Sequence, residues 1–503
     1  MHFGLVAGLL IAATAGVRAQ SGQGRFDYHR ITGEIVWRGT QALKMCNGLF
    51  VSGRTVDQIY SQEFAGMGTP MPRQRIEIDR QLKAVAIGTG DPGPGTDPVP
   101  VMRSAFREGI GCVVMAPDQT VADIDKLPFV RMSAPAGDPA AIPWPDGDRV
   151  ENRKTMPDGV NEAALKAAGE WAFDRVGHGG NAGQVTLSMM VVQGAAGGHG
   201  GDILYERYAP GVDMHTRTRT WSTAKSITST LVGIAVGKGL LKLDGPLPFD
   251  WRPETKANAP DPRRRITLRH LLNMSSGLYP VDNDYGDVIG SPLAYFGGWN
   301  SAEHARDRGL IREPGTSWDY ENYDTLLTVL ALRTVLGDEK TYREFPRRAL
   351  FDRIGMRNTI AGMDRFGNYV LSSQVYTNAR DLARFGLLYL HRGRWNGEQI
   401  VPETWVDFSR TPAPATRDSG RQYGAHWWLV PDSRTDLPQD AYSTSGARGQ
   451  FTIVVPSHNL VIVRRGLDWR EGNRGLSQWD LLAEVLKAFP RRQGGTKPQN
   501  ATD

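Results

Sequence analysis

From Val185 onward the chain alternates short apolar runs with glycine-rich connections. Val185-Thr186-Leu187-Ser188-Met189-Met190-Val191-Val192-Gln193 is followed by a glycine-rich stretch at 194–201 and a second strand-like run at 202–208. Two such runs bracketing glycines predict a β-hairpin. The period then changes, because Ala224, Ile227, Leu231, Ile234 and Ala235 recur at helical spacing until Gly237 and Gly239 provide a stop. Residues 267–272, 323–335 and 378–390 predict further helices. Near the end, the apolar runs 451–455 and 460–464 flank the turn-forming Pro456-Ser457-His458-Asn459, a second hairpin. Strands come early and late with helices between, which predicts an α+β fold. One antiparallel sheet, closed by both chain ends and flanked by helices, carries an inserted all-helical lobe from about 245 to 390.

Ahead of this unit (166–490), residues 20–165 read differently. Strand-like pieces at 48–52 and 83–87 are separated by Gly/Pro-rich stretches at 88–100 and 135–145, and long helical patterns are few. Gly88-Thr89-Gly90-Asp91-Pro92-Gly93 matches GxGxxG in letters, but a dinucleotide site needs a helix next, and Pro92 and Pro94 prevent one. The role of 20–165 is open. Residues 1–19 carry an apolar run ending in Val17-Arg18-Ala19, the pattern of a cleaved signal peptide. The run is shorter than the roughly 20 residues that span a bilayer. A periplasmic or secreted protein without stable membrane insertion is expected, with a polar, disordered tail at 491–503.

The bulk numbers narrow the partners. With 40% hydrophobic and 22% charged residues in 503, the chain has ordinary globular composition. A formal net charge of +5 invites a nucleic-acid reading, but the basic residues sit in scattered clusters such as Arg217-Thr218-Arg219 and Arg263-Arg264-Arg265. Those read as solvated surface, so no nucleic-acid partner is expected. Cys46 and Cys112 are the two cysteines; after export a disulfide is favoured over two buried thiols. Two cysteines make no structural zinc site, and no HExxH or ligand-spaced cluster is present, so neither metal nor cofactor is expected.

The candidate chemistry begins at Ser222-Thr223-Ala224-Lys225, which opens the predicted helix and sets the hydroxyl and the amine one turn apart on one face. A serine hydroxyl needs a neighbour to take its proton, and a lysine does so when burial or nearby charge keeps it partly neutral. Alone, SxxK is weak, since a chain this long contains roughly one by chance. Corroboration comes from Tyr320-Glu321-Asn322, after a Pro314-Gly315 turn and before another apolar helix: Tyr320 suits proton transfer, and Asn322 suits positioning of Lys225 or the substrate. Tyr376-Thr377-Asn378 repeats the Tyr-x-Asn letters but reads as an ordinary helix cap. The third part is Thr444-Ser445-Gly446-Ala447-Arg448-Gly449-Gln450, where small residues let backbone amides approach a substrate carbonyl. A Ser-His-Asp arrangement is disfavoured, because no GxSxG elbow exists; His270 reads as packing or capping its helix. The aromatic and glycine-rich stretch 279–299 is either a lid or a loop packed on the helical lobe.

STAK, ITLRHLLNMSSGL, PGTSWDYENYDTLL and GARGQFTIVVP, spread over roughly 165–490, resemble the class C β-lactamase-related, penicillin-recognising serine hydrolases. Within that group they are most similar to nylon-oligomer hydrolases and related esterases. The resemblance implies Ser222 as nucleophile, Lys225 and Tyr320 as the general-base pair, Asn322 in support, and the amides of Ser222 and Ala447 as oxyanion hole. The expected substrate is a small amide or ester. The family's β-lactamases carry Lys-Thr-Gly on the edge strand; Thr444-Ser445-Gly446 lacks that cation, with Arg448 as a candidate substitute, so weak or no β-lactamase activity is expected. The alternative is a non-hydrolytic penicillin-binding-like sensor of cell-wall ligands, or a D,D-peptidase, on the same scaffold. Oligomeric state is not legible.

Overall fold

The computed structural model describes residues 28–503 except 91–98, 133–136, 152–154, 196–197, 199, 255–259, 281–289, 418–419, 421, 470–474, 491–496 and 498–503. The signal-peptide expectation and nearly all of the polar tail fall outside the described residues.

The N-terminal region departs from the sequence reading. It opens with a long helix, α1 (Tyr28–Phe50), whose end absorbs most of the strand expected at 48–52. Its apolar positions Ile31, Ile35, Leu43 and Cys46 follow helical spacing, but Gly33 and Gly39 interrupt the pattern and mask it in the sequence. The glycine at 39 is a packing requirement, since a Cβ there would lie 1.8 Å from the Phe296 carbonyl oxygen. α1 packs on a four-stranded antiparallel sheet in simple up-and-down order: β1 (Ile76–Asp79), β2 (Ala84–Ile87), β3 (Met102–Arg107) and β4 (Gly111–Val114). Cys46 on α1 and Cys112 on β4 are joined by a disulfide with Cα atoms 6.0 Å apart. This layer shares an apolar core with Leu271, Leu293, Tyr323 and Leu326 of the helical region.

The hairpin of β5 (Thr186–Gly194) and β6 (Gly201–Tyr208) forms one side of a six-stranded antiparallel sheet. The rest comes from β7 (Trp428–Leu429), β8 (Tyr442–Gly446), β9 (Gln450–Val455) and β10 (Leu460–Gly466), in the order β7-β8-β9-β10-β5-β6. The central strands are buried along their whole length, as expected for a sheet covered on both faces. One face packs on α2 (Glu162–Phe173) and a helix at Gln478–Leu486 around Met189, Ile453 and Ile462. The other packs on α3 (Thr223–Gly237) and on the helix Ala379–Leu390, around Met190, Val454 and Val463. Between these lie short helices, α4 (Asn322–Leu336) and the short strands Ile360–Ala361 and Val375–Thr377, which form a separate three-stranded sheet with Thr218–Arg219, so the lobe expected at 245–390 is not all-helical. Both predicted hairpins and the predicted helices at 267–272, 323–335 and 378–390 are present within a residue or two.

Candidate active site

α3 begins directly after Ser222, and what holds its first turn is contact with the sheet. Thr223 Oγ1 donates to the Gln450 carbonyl at 3.0 Å and lies 3.1 Å from Thr444 Oγ1, pinning the helix start against β8 and β9. The contact is close enough to require glycine at 446, where a Cβ would lie 2.1 Å from the Thr220 carbonyl oxygen and 3.1 Å from the Thr223 nitrogen. Trp221, immediately before the serine, has φ +51°, a left-handed conformation that costs a non-glycine residue energy. That kink turns the chain from the short strand Thr218–Arg219 into α3 and leaves Ser222 half-buried at the junction.

Lys225 is 1% exposed and sits one turn along. Its ammonium lies 3.3 Å from Ser222 Oγ, 2.5 Å from Asn322 Oδ1 and 3.1 Å from the Ser372 carbonyl oxygen. It also stands 4.9 Å from the centre of the Tyr320 ring. Asn322 is fixed in turn, with its Nδ2 donating to Ser291 Oγ at 3.0 Å. Tyr320 is walled by aromatic rings, its centroid 5.6 Å from Trp428 and 6.0 Å from Tyr423. Behind this segment the buried Arg308 guanidinium spans Asp324 at 3.0 Å and Glu321 at 3.8 Å, tying down residues on both sides of Asn322. Burial pushes the Asp324 carboxyl up, against the pull of Arg308. Ser222, Lys225, Tyr320 and Asn322 thus converge, although 97 positions separate Lys225 from Asn322.

Below them is a residue the motifs do not signal. His426, fully buried, has Nδ1 3.1 Å from the Lys225 carbonyl and Nε2 3.4 Å from Thr325 Oγ1, and its own carbonyl accepts from Ser226 Oγ at 2.6 Å. Burial first, then the Lys225 charge, pushes its imidazole down to about 3, so it is neutral and joins α3 to α4. Ser291, Ser372 and Trp221 were equally invisible in the sequence, because a backbone carbonyl, a lone serine and a backbone angle leave no pattern.

Arg448 is directed elsewhere. All five of its N–H groups have acceptors: the carbonyls of Gln62, Glu63, Leu467 and Asp468 at 2.6–3.2 Å, and Glu63 Oε2 at 3.4 Å. A guanidinium with five donors so engaged has none left for a ligand, so the expected substrate-binding cation is a clip between the β8–β9 turn and the N-terminal region. Arg219 likewise departs from the solvated-surface reading: it is buried 3.7 Å from the Trp221 ring, and Arg263 is buried in an ion pair with Asp261. His270 caps its own helix through Thr267, as expected. Tyr295 and Phe296 of the suspected lid are buried, Tyr295 facing Ser372 at 2.5 Å, while Tyr285 lies outside the described residues.

Trp221, the residue before Ser222, lines a cleft of about 430 Å³ together with Gly446 and Ala447, between the β8–β9 turn and residues 65–67. Among the described residues, no group of His, Cys, Asp and Glu is placed to hold a metal ion, and no helix is long and apolar enough to cross a membrane.

Comparison with known proteins gives the same frame. The 6-aminohexanoate-dimer hydrolase of Paenarthrobacter ureafaciens is 23% identical over 283 residues, covering 53% of this chain and 70% of that protein. An uncharacterised protein of Alkalihalophilus pseudofirmus is 23% identical over 302 residues, covering 53% and 81%. Among solved structures, a penicillin-binding protein homologue from Caulobacter crescentus superposes with a TM-score of 0.50 at 16% identity, over 67% of this chain and 99% of that one, a likeness of fold. The β-lactamase family model matches residues 189–465, more than half the chain and all of the six-stranded sheet but the start of β5 and the last residue of β10, and the protein belongs to that β-lactamase-related family of serine hydrolases.

Proposed function

We propose that the protein is an exported serine hydrolase that cleaves a small amide or ester through an acyl-enzyme on Ser222. The observation that carries this reading is the buried Lys225 ammonium 3.3 Å from Ser222 Oγ and held there by Asn322 and the Ser372 carbonyl. In this reading Ser222 Oγ attacks the substrate carbonyl carbon as its proton passes to the Lys225–Tyr320 pair. The backbone N–H groups of Ser222 and Ala447 receive the oxyanion, at the amino end of α3, where the helix dipole adds to them. Collapse returns the proton to the leaving alcohol or amine, and water, deprotonated by the same pair, then releases the acid and frees Ser222. The Cys46–Cys112 bond supports export, since such bonds persist in oxidising compartments. With Arg448 committed to the N-terminal region and no lysine on β8, poor penicillin turnover is expected, and rapid nitrocefin hydrolysis would contradict that part.

The test is p-nitrophenol release from 4-nitrophenyl esters, followed from the first seconds. A burst and turnover that disappear in Ser222→Ala are expected; release unaffected by that change removes Ser222 as nucleophile. A stoichiometric burst with no subsequent turnover would instead favour the ligand-sensor reading.

A further inference from the structure

The N-terminal region places a lysine in the cleft lined by Trp221, the residue before Ser222. Lys44, on α1, lines that cleft together with Met67, Trp221, Gly446 and Ala447. Its ammonium lies 5.5 Å from the ring of Trp221, the residue preceding Ser222. Two of its acceptors are the Glu63 carbonyl at 3.0 Å and the Met67 sulfur at 2.6 Å, the second a weak one. Among the described residues no carboxylate forms an ion pair with Lys44. The carboxylates nearby are already engaged: Glu63 by Arg54 at 3.6 Å and Arg448 at 3.4 Å, Asp468 by Arg464 at 2.7 Å. Arg219 lies under Trp221 and Arg448 along the turn, and both charges act against that of Lys44.

A lysine buried in such surroundings is costly unless something compensates it. Burial, then Arg448, pushes its amine down to about 7, with Glu63 opposing and Arg219 adding. An arriving anion would restore the proton and be held by it.

The geometry points to Lys44 as the anion-recognising residue of the cleft, selecting amide or ester substrates that carry a carboxylate near the bond cleaved. This rests on the proposed hydrolase reading and deepens it: the N-terminal region, which the family match does not cover, supplies the specificity. Lys44 takes no part in the chemistry; it positions the substrate through its charged end.

The experiment compares kcat/KM for mono-(4-nitrophenyl) glutarate and the neutral 4-nitrophenyl pentanoate in the full-length mature protein, wild type beside Lys44→Met. The anionic-to-neutral ratio is expected to fall at least tenfold, mainly through KM of the anionic ester. A second variant, Met67→Glu, leaves the amine in place but gives it a carboxylate partner, and the same fall is expected, which separates lost charge recognition from a misfolded α1. In parallel, glutarate is titrated against thermal stability, a readout that needs no turnover: wild type is stabilised and both variants are not. If no Ser222-dependent release is seen, the hydrolase reading fails while the glutarate titration still decides the site. An unchanged ester ratio together with equal glutarate stabilisation in all three proteins would overturn the proposal.

Discussion

The chain contains two Tyr-x-Asn segments, each directly before a helix, and the structure gives them opposite surroundings. At Tyr320-Glu321-Asn322 the helix cap is Glu321, so the Asn322 side chain is released to meet the Lys225 ammonium, and the tyrosine ring stands beside that same charge. At Tyr376-Thr377-Asn378 the asparagine is itself the cap, accepting from the Asp381 N–H at 2.8 Å and donating to the Met214 carbonyl at 2.5 Å. Tyr376 there belongs to a short strand paired with Thr218–Arg219, its hydroxyl 3.4 Å from Gln374 Oε1, and burial pushes its phenol up despite nearby Arg219. One shift in the position of the cap therefore decides whether the same three letters face the Lys225 amine or close a helix end. Letters name the functional groups available; the register of the helix start decides where they point.

The largest expected contrast is in catalysis. Under the proposed mechanism, Lys225→Met or Tyr320→Phe lowers kcat on 4-nitrophenyl esters by about 10³–10⁴-fold, the upper part of the range for a lost proton-transfer group, whereas Tyr376→Phe leaves it within about twofold. Steady-state rates on the three variants decide this, and an equal loss at Tyr376 would erase the distinction.

Next is the support under the first segment. His426 is held at about 3 in the folded protein against about 6.5 in the unfolded chain. Below about 6.5 the unfolded state takes up a proton the folded state refuses. Its contribution is thus intact above that value and declines as pH falls towards 3, with a loss of roughly 3 kcal/mol by pH 4. Denaturant titrations at pH 7 and pH 4 should show this slope in wild type and a flatter one in His426→Gln.

The smallest effects separate the two asparagines. Asn322→Ala is expected to reduce kcat about 10–100-fold with little change in unfolding midpoint. Asn378→Ala is expected to do the reverse, costing about 1 kcal/mol as a lost cap and leaving rates near wild type; parallel kinetics and thermal melts on both check it.

How much of this was readable beforehand follows the range of the interactions. The hairpin 186–208 and helix 223–237 announce themselves because alternation and helical periodicity are local. Ser222 and Lys225 share one turn, so their pairing was legible too. α1 was not, since Gly33 and Gly39 break its apolar pattern and the second is there for a neighbour, Phe296, far along the chain. Arg448 was misread for the same reason: its charge is visible in sequence, but its partners lie in the N-terminal region. Lys44 and His426 carry no motif, and only packing brings them to the Ser222 neighbourhood.

The clip between Glu63 and Arg448 has a consequence in time as well as space. Its partners are 385 positions apart, so this closure waits until almost the entire polypeptide has been made available, and it ranks among the most non-local contacts of the molecule. Closing so long a loop is entropically slow, yet lengthening it further adds little, because the penalty grows only logarithmically. The six-stranded sheet is bound by the same wait, because β10 lies beyond Arg448 in the chain and pairs with β5, so the scaffold and the wall carrying Lys44 become available together.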